Sequence, residues 1–155
     1  MNRLRAIIFT DGACLRNGQA GAIAGIGVYS PHDERNNISS LIDGRQTNQR
    51  AEIIAAYRGI KRARDLQYNS VLVKVDSKYV KNAYESWIAR WMQQDWNDTN
   101  GKPVSNREEF EMLYKLSKEI EIEFEWVPSK MNAADEMAKK VVAQEQLRRA
   151  EEGAK

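Results

Sequence analysis

The feature that most constrains the fold is a change of hydrophobic period at Asn48. Before it, LRAIIFT (4–10) and GAIAGIGVY (21–29) are short apolar runs that read as strands, joined by the polar segment DGACLRNGQA. The second run is so rich in glycine that it needs neighbours on both sides to hold as a strand. NISSLI (37–42) makes a third, after the turn cluster SPHDERN. From Asn48 onward, Ile53, Ala56, Tyr57, Ile60 and Ala63 fall on one helix face, with Thr47 as N-cap. VLVKV (71–75) is then a buried parallel strand. Residues 77–92 predict one or two short helices, 106–118 another, and EIEIEFEWV (119–127) a strand alternating acid with apolar. A last amphipathic helix begins near 133 and frays into a charged tail. The order β-β-β-α-β-α-α-β-α predicts an α/β mixed sheet with helices on its faces and parallel later strands.

Length and composition set the outer limits. A chain of 155 residues, 42% apolar and 30% charged, can bury one core and is not disordered as a whole. A formal charge of +2 points to no nucleic acid by itself, so any such partner requires a localised basic surface. The lone cysteine, Cys14, excludes an intramolecular disulfide. No stretch has the length of a membrane span or a signal-peptide core. The expectation is a soluble intracellular protein, cytoplasmic or nuclear, with no membrane partner.

Four acids stand where strands end or helices begin. In AIIFTD, strand alternation puts Ile7, Phe9 and Asp11 on one face; in VLVKVDS it puts Lys74 and Asp76 on one face. Ligands of helix-covered parallel sheets bind beyond the carboxyl ends of the strands, so two such acids on adjacent strands could bridge a metal. Glu52 lies in a helix's first turn, and its neighbour Ala56 turns it toward the sheet. Asp135 opens the last helix. Singly, each has an ordinary explanation as a turn former or as a complement to a helix dipole.

The words around these acids alter that balance. TDGAC (10–14), GRQTNQRAE (44–52), VDSKYV (75–80) and NAADEMA (132–138) follow in the order seen in ribonuclease H of the type 1 family. NREEF (106–110), after three spaced tryptophans and a Gly-Lys turn, resembles that family's DNA-binding handle. The resemblance spans about residues 4 to 140. It implies a five-stranded mixed sheet of order 3-2-1-4-5 with helices on both faces. Residues 1–142 would form the catalytic domain, and 143–155 a charged helix end or tail.

By the same resemblance, Asp11, Glu52, Asp76 and Asp135 are the catalytic, metal-binding carboxylates. They would hold two Mg²⁺ ions, for which Mn²⁺ can substitute, about 4 Å apart. The implied activity is hydrolysis of the RNA strand of an RNA–DNA hybrid by a monomer. Asn17, Asn48 and Gln49 match residues that read the RNA 2′-hydroxyls. Arg45, Thr47 and Asn106 match a pocket for a DNA-strand phosphate, and Trp87, Trp91 and Thr99 a channel for the deoxyribose strand. From spacing alone, Trp87 and Trp91 read equally well as a core stripe.

Two departures from the family pattern carry expectations. The handle region 76–107 holds five basic residues (Lys78, Lys81, Arg90, Lys102, Arg107) against four acids (Asp76, Glu85, Asp95, Asp98). That is about +1, so weaker or more salt-sensitive hybrid binding is expected. Family members commonly carry VPxH and a glycine-rich loop before N-x-x-A-D, whereas VPSK here meets NAAD almost at once. The only histidine, His32, belongs to a distant turn, and Lys130 is no substitute base, because exposed lysines stay protonated near neutral pH. Slower turnover or an altered pH profile is expected. The alternative is a catalytically impaired module that binds RNA–DNA hybrids.

Overall fold

The computed structural model describes residues 4–154. Its five strands, β1 (Arg5–Leu15), β2 (Ile23–Tyr29), β3 (Ile38–Leu41), β4 (Ser70–Val75) and β5 (Glu121–Trp126), form one sheet of order 3-2-1-4-5. The first three pair antiparallel as consecutive neighbours, and β4 and β5 join parallel to β1 and to each other. The expected mixed sheet is the observed one.

Helices α1 (Asn48–Asp65) and α4 (Arg107–Leu116) pack together, with α1 against β1. The opposite face of β1, β2 and β3 carries α5 (Ala134–Gly153). Between β4 and α4, α2 (Lys78–Asn82) and α3 (Ile88–Gln93) are joined by a π-helical turn, Ala83–Trp87. The expected one or two helices are thus one helical run with a widened turn. Thr47 does cap α1, its hydroxyl accepting the Arg50 N–H at 3.2 Å.

Apolar periodicity becomes core as expected. Ile8, Ile26 and Val28 on the sheet meet Ile53 and Ile60 of α1, while Val71, Val73 and Val75 are buried on β4. Each such side chain contributes roughly 1.5–3 kcal/mol when removed from water. On β5, Glu121, Glu123 and Glu125 are exposed while Phe124 is buried against Tyr84.

One segment departs from expectation. Residues 11–15, read as the start of a polar connector, continue β1 and pair with β2 from Asp11↔Gly27 to Leu15↔Ile23. Cross-strand pairing outweighs the local turn signal of the Asp-Gly pair here. The glycines of β2 serve packing: a Cβ on Gly27 would lie 2.4 Å from the Ala134 carbonyl oxygen and 2.8 Å from the Ala138 nitrogen. Helix α5 therefore rests on the strand backbone itself, presenting Ala134, Ala138 and Val142. Beyond Val142 the helix runs unbroken to Gly153 with no buried residue among those described.

Candidate active site

Register brings the acids together. Phe9 of β1 pairs with Lys74 of β4, and two residues further on stand Asp11, still within β1, and Asp76, just past the end of β4. Asp11 sits opposite Gly27, so its side chain leaves the sheet on the face that α5 covers. Gly12 points the other way, where a Cβ would be 2.6 Å from the Glu52 backbone nitrogen. This absence of a side chain lets the first turn of α1 reach the strand, and Glu52 with it.

Carboxylate oxygens of Asp11, Glu52 and Asp76 lie within 4.8 Å of one another. Asp11 and Glu52 are buried, and Asp76 is half-buried. Asp135 flanks the three, its carboxyl hydrogen-bonded to that of Asp11 and its Oδ2 2.8 Å from the Lys139 ammonium. Three of the expected acids thus converge, and Asp135 adjoins them through Asp11 despite the short turn between β5 and α5.

Close carboxylates in a dry site suppress one another's ionisation. Burial, reinforced by the Asp135 contact, pushes the Asp11 carboxyl up to about 8. Burial and then the charge of Asp11 raise Glu52 well above the ordinary carboxyl range. For Asp135 burial acts upward too, but hydrogen bonds from Lys139 and Asp11 together hold it below that range.

Asn132, which the sequence reading left without a role, sets the position of Asp135. Its amide Nδ2 donates to the Thr10 carbonyl at 3.0 Å, and its Oδ1 accepts the Ala134 N–H at 3.0 Å. One buried side chain thus ties the start of α5 to the residue preceding Asp11 and satisfies a free helix-end donor. A polar residue just before a helix start was the signal available in sequence. Trp126, also unassigned, donates its indole N–H to the Asp76 carbonyl at 3.1 Å.

Asp11, Asp76 and Asp135 line an open cleft of about 490 Å³ shared with Asn48, Ser129 and Lys139. Next to it is a hollow of about 550 Å³ bordered by Asn17, Arg45, Thr47, Asn48, Gln49 and Asn106. Six of the expected nucleic-acid contacts thus border one hollow. Asn17 Oδ1 accepts the Asn48 N–H at 3.1 Å, and Arg45 donates to Asn106 Oδ1.

The expected deoxyribose channel is less unified. Trp91 is buried among Trp87, Trp96 and Phe110, so the core-stripe reading describes its packing, yet it also borders a shallow cleft with Gln49 and Tyr79. Trp87 is half-buried against Tyr79, and Thr99 is exposed in the turn beyond. His32 is exposed in the turn after β2, and Lys130 is exposed in the short 3-10 turn Ser129–Met131.

Comparison with known proteins agrees with this layout. The family model described as RNase H matches residues 3–146. Human ribonuclease H1 is 37% identical over 122 residues, 79% of this chain, which spans 43% of that relative's length. Ribonuclease H of Dichelobacter nodosus is 32% identical over 140 residues, covering 87% of this chain and 90% of its own. Among solved structures, LC11-RNase H1 in complex with RNA/DNA hybrid superposes with a TM-score of 0.63 at 25% identity, covering 91% of this chain and 99% of that one. LC9-RNase H1, a type 1 RNase H with the type 2 active-site motif, shares the fold with a TM-score of 0.70 at 18% identity over 93% of this chain and 74% of its own. Sheet order, acid placement and sequence relatives converge: this chain belongs to the type 1 branch of the RNase H family.

Proposed function

We propose that the protein is a metal-dependent endoribonuclease that hydrolyses the RNA strand of RNA–DNA hybrids. The observation that carries this reading is the convergence of Asp11, Glu52 and Asp76 to within 4.8 Å, beside the Arg45–Asn106 hollow. The donor set fits hard divalent cations, because it consists of carboxylate oxygens alone. The elevated Asp11 and Glu52 carboxyls mark a cluster short of positive charge. When bound, two Mg²⁺ ions, or Mn²⁺ in their place, supply an activated water and stabilise the leaving oxygen.

The chain's own residues do the rest. Asp11, Glu52 and Asp76 hold the cations, and Asp135 joins them as the fourth ligand. Asn17, Asn48 and Gln49 read the ribose hydroxyls, which distinguish RNA from DNA. Arg45, Thr47 and Asn106 grip a phosphate of the DNA strand, while Trp87, Trp91 and Thr99 lie along its sugars. Residues 1–142 form the catalytic unit, with 143–155 as a charged helix end or tail. The protein works as a monomer in the cytoplasm or nucleus; no described helix is long and apolar enough to cross a membrane.

The test is cleavage of an end-labelled hybrid with Mg²⁺ or Mn²⁺, beside Asp76→Asn. Cleavage by the parent and its loss in the variant are expected. Equal cleavage by both, or none by either, overturns the reading. Tight binding without product would instead identify the impaired hybrid-binding module.

A further inference from the structure

The loop that carries Arg45 is folded around a second arginine. Arg50, in the first turn of α1, donates Nη1 to the carbonyls of Asp43 and Arg45, the latter at 2.9 Å. Its guanidinium lies against Gly44, where a Cβ would stand 3.3 Å from Nη2. Gly44 has a φ of +79°, which side chains rarely adopt, so the loop's path depends on that glycine.

The other edge of Arg50 faces α4. Its Nε donates to Glu109 Oε1 at 3.1 Å, and the two side chains are only 19% and 10% exposed. The second Glu109 oxygen is buried and has no hydrogen-bond partner among the described residues. A shielded, half-satisfied carboxylate of this kind depends on its cation.

Three residues before Glu109, Asn106 opens α4 in the left-handed region (φ 62°). It accepts from Arg45 and donates to the Tyr79 hydroxyl at 3.2 Å. The two walls of the hollow, the Arg45 loop and the start of α4, are thus bridged twice. Arg45–Asn106 is the outer bridge, and Arg50–Glu109 is the inner one. Neither Arg50 nor Glu109 lines the hollow itself.

We propose that Arg50 and Glu109 are a positioning pair that holds Arg45 and Asn106 in phosphate-gripping register, and so sets hybrid affinity without touching the nucleic acid. This rests on reading the hollow as a phosphate site. It also predicts a sign opposite to simple electrostatics, since removing an acid near a phosphate site would otherwise tighten binding.

The experiment measures binding of a fluorescent RNA–DNA hybrid to the full chain in EDTA, across salt concentrations. The proteins are the parent, Glu109→Gln, Arg45→Ala and the double variant. Glu109→Gln should weaken binding about tenfold, as for a lost charge-assisted contact. Its slope of log affinity against log salt should shrink by about one, as for one lost phosphate contact. Arg45→Ala should do the same, and the double variant should be no weaker than Arg45→Ala. Parent-like or tighter binding by Glu109→Gln, with Arg45→Ala weakened, overturns the pair's role and leaves the phosphate site standing. No effect of Arg45→Ala removes both. If Glu109→Gln does not fold, Arg50→Lys carries the same comparison, since it keeps the charge but loses the fork. Parent-like binding by folded Arg50→Lys overturns the proposal.

Discussion

Asn132 spans 122 residues of sequence to donate its amide to the Thr10 carbonyl, one residue before Asp11. The same side chain caps α5 two residues later, so Asp11 and Asp135 are set by a common bracket. Asn132→Ala should lower stability by about 2–3 kcal/mol, since two buried hydrogen bonds are lost. It should also reduce hybrid cleavage at limiting Mg²⁺ more than at saturating Mg²⁺. Asn132→Asp keeps the capping acceptor but faces the Thr10 carbonyl with a charge, and should be the worse of the two. Thermal unfolding and metal titration of activity measure both effects.

The crowded acids make the metal-free protein sensitive to pH. Asp11 is raised in the folded state to about 8 from an ordinary 3.8, and Glu52 moves in the same direction. Between those values the folded state binds more protons than the unfolded one, so stability falls as pH rises from about 4 to about 8. Unfolding midpoints in EDTA should therefore be lower at pH 8 than at pH 5, once compared with Asp11→Asn. In that variant the slope should flatten. Adding Mg²⁺ should raise the midpoint more at pH 8, where the carboxylates are released to bind it.

The contact between α5 and β2 leaves no room for a methyl group. Gly27→Ala would press a Cβ against helix backbone at 2.4 Å, whereas at Gly25 the tightest neighbour, at 2.6 Å, is the tip of Val141. Gly27→Ala should destabilise by about 3 kcal/mol, as overpacking against backbone does. It should also lower activity, because the displaced helix carries Asp135. Gly25→Ala should be milder on both measures. Chemical denaturation beside the cleavage assay separates them.

With its only imidazole exposed in a remote turn, the site has no histidine of its own. His32→Ala and Lys130→Ala should leave the pH–rate profile of hybrid cleavage unchanged in shape. Loss of activity at every pH in Lys130→Ala would assign Lys130 a larger part than its exposed position supports.

The mixed sheet and the placement of three of the acids were legible in patterns that sequence displays, strand alternation placing Asp11 and Asp76 and the helical period turning Glu52 inward, whereas the strand order 3-2-1-4-5 followed only from the family resemblance. What escaped depends on meetings between distant segments. The strand character of residues 11–15 exists only through β2, and Asn132 shows no pairing in sequence with Thr10. Arg50 and Glu109 read as ordinary surface charges until α1 and α4 are packed side by side. The two tryptophans were left open by spacing, and packing makes Trp91 a core residue with one edge at a cleft.

The Asn132 bracket bears on how such proteins change over generations. The acid that completes the set is fastened downstream of the β5–α5 connection, by a residue that grips β1 directly. Insertions or deletions upstream of that fastening, in the Ser129–Met131 turn, would be absorbed without shifting Asp135. The connection is therefore a tolerant splice point beside an intolerant centre, where a loop with new chemistry could be gained or shed while the metal-binding geometry is inherited intact.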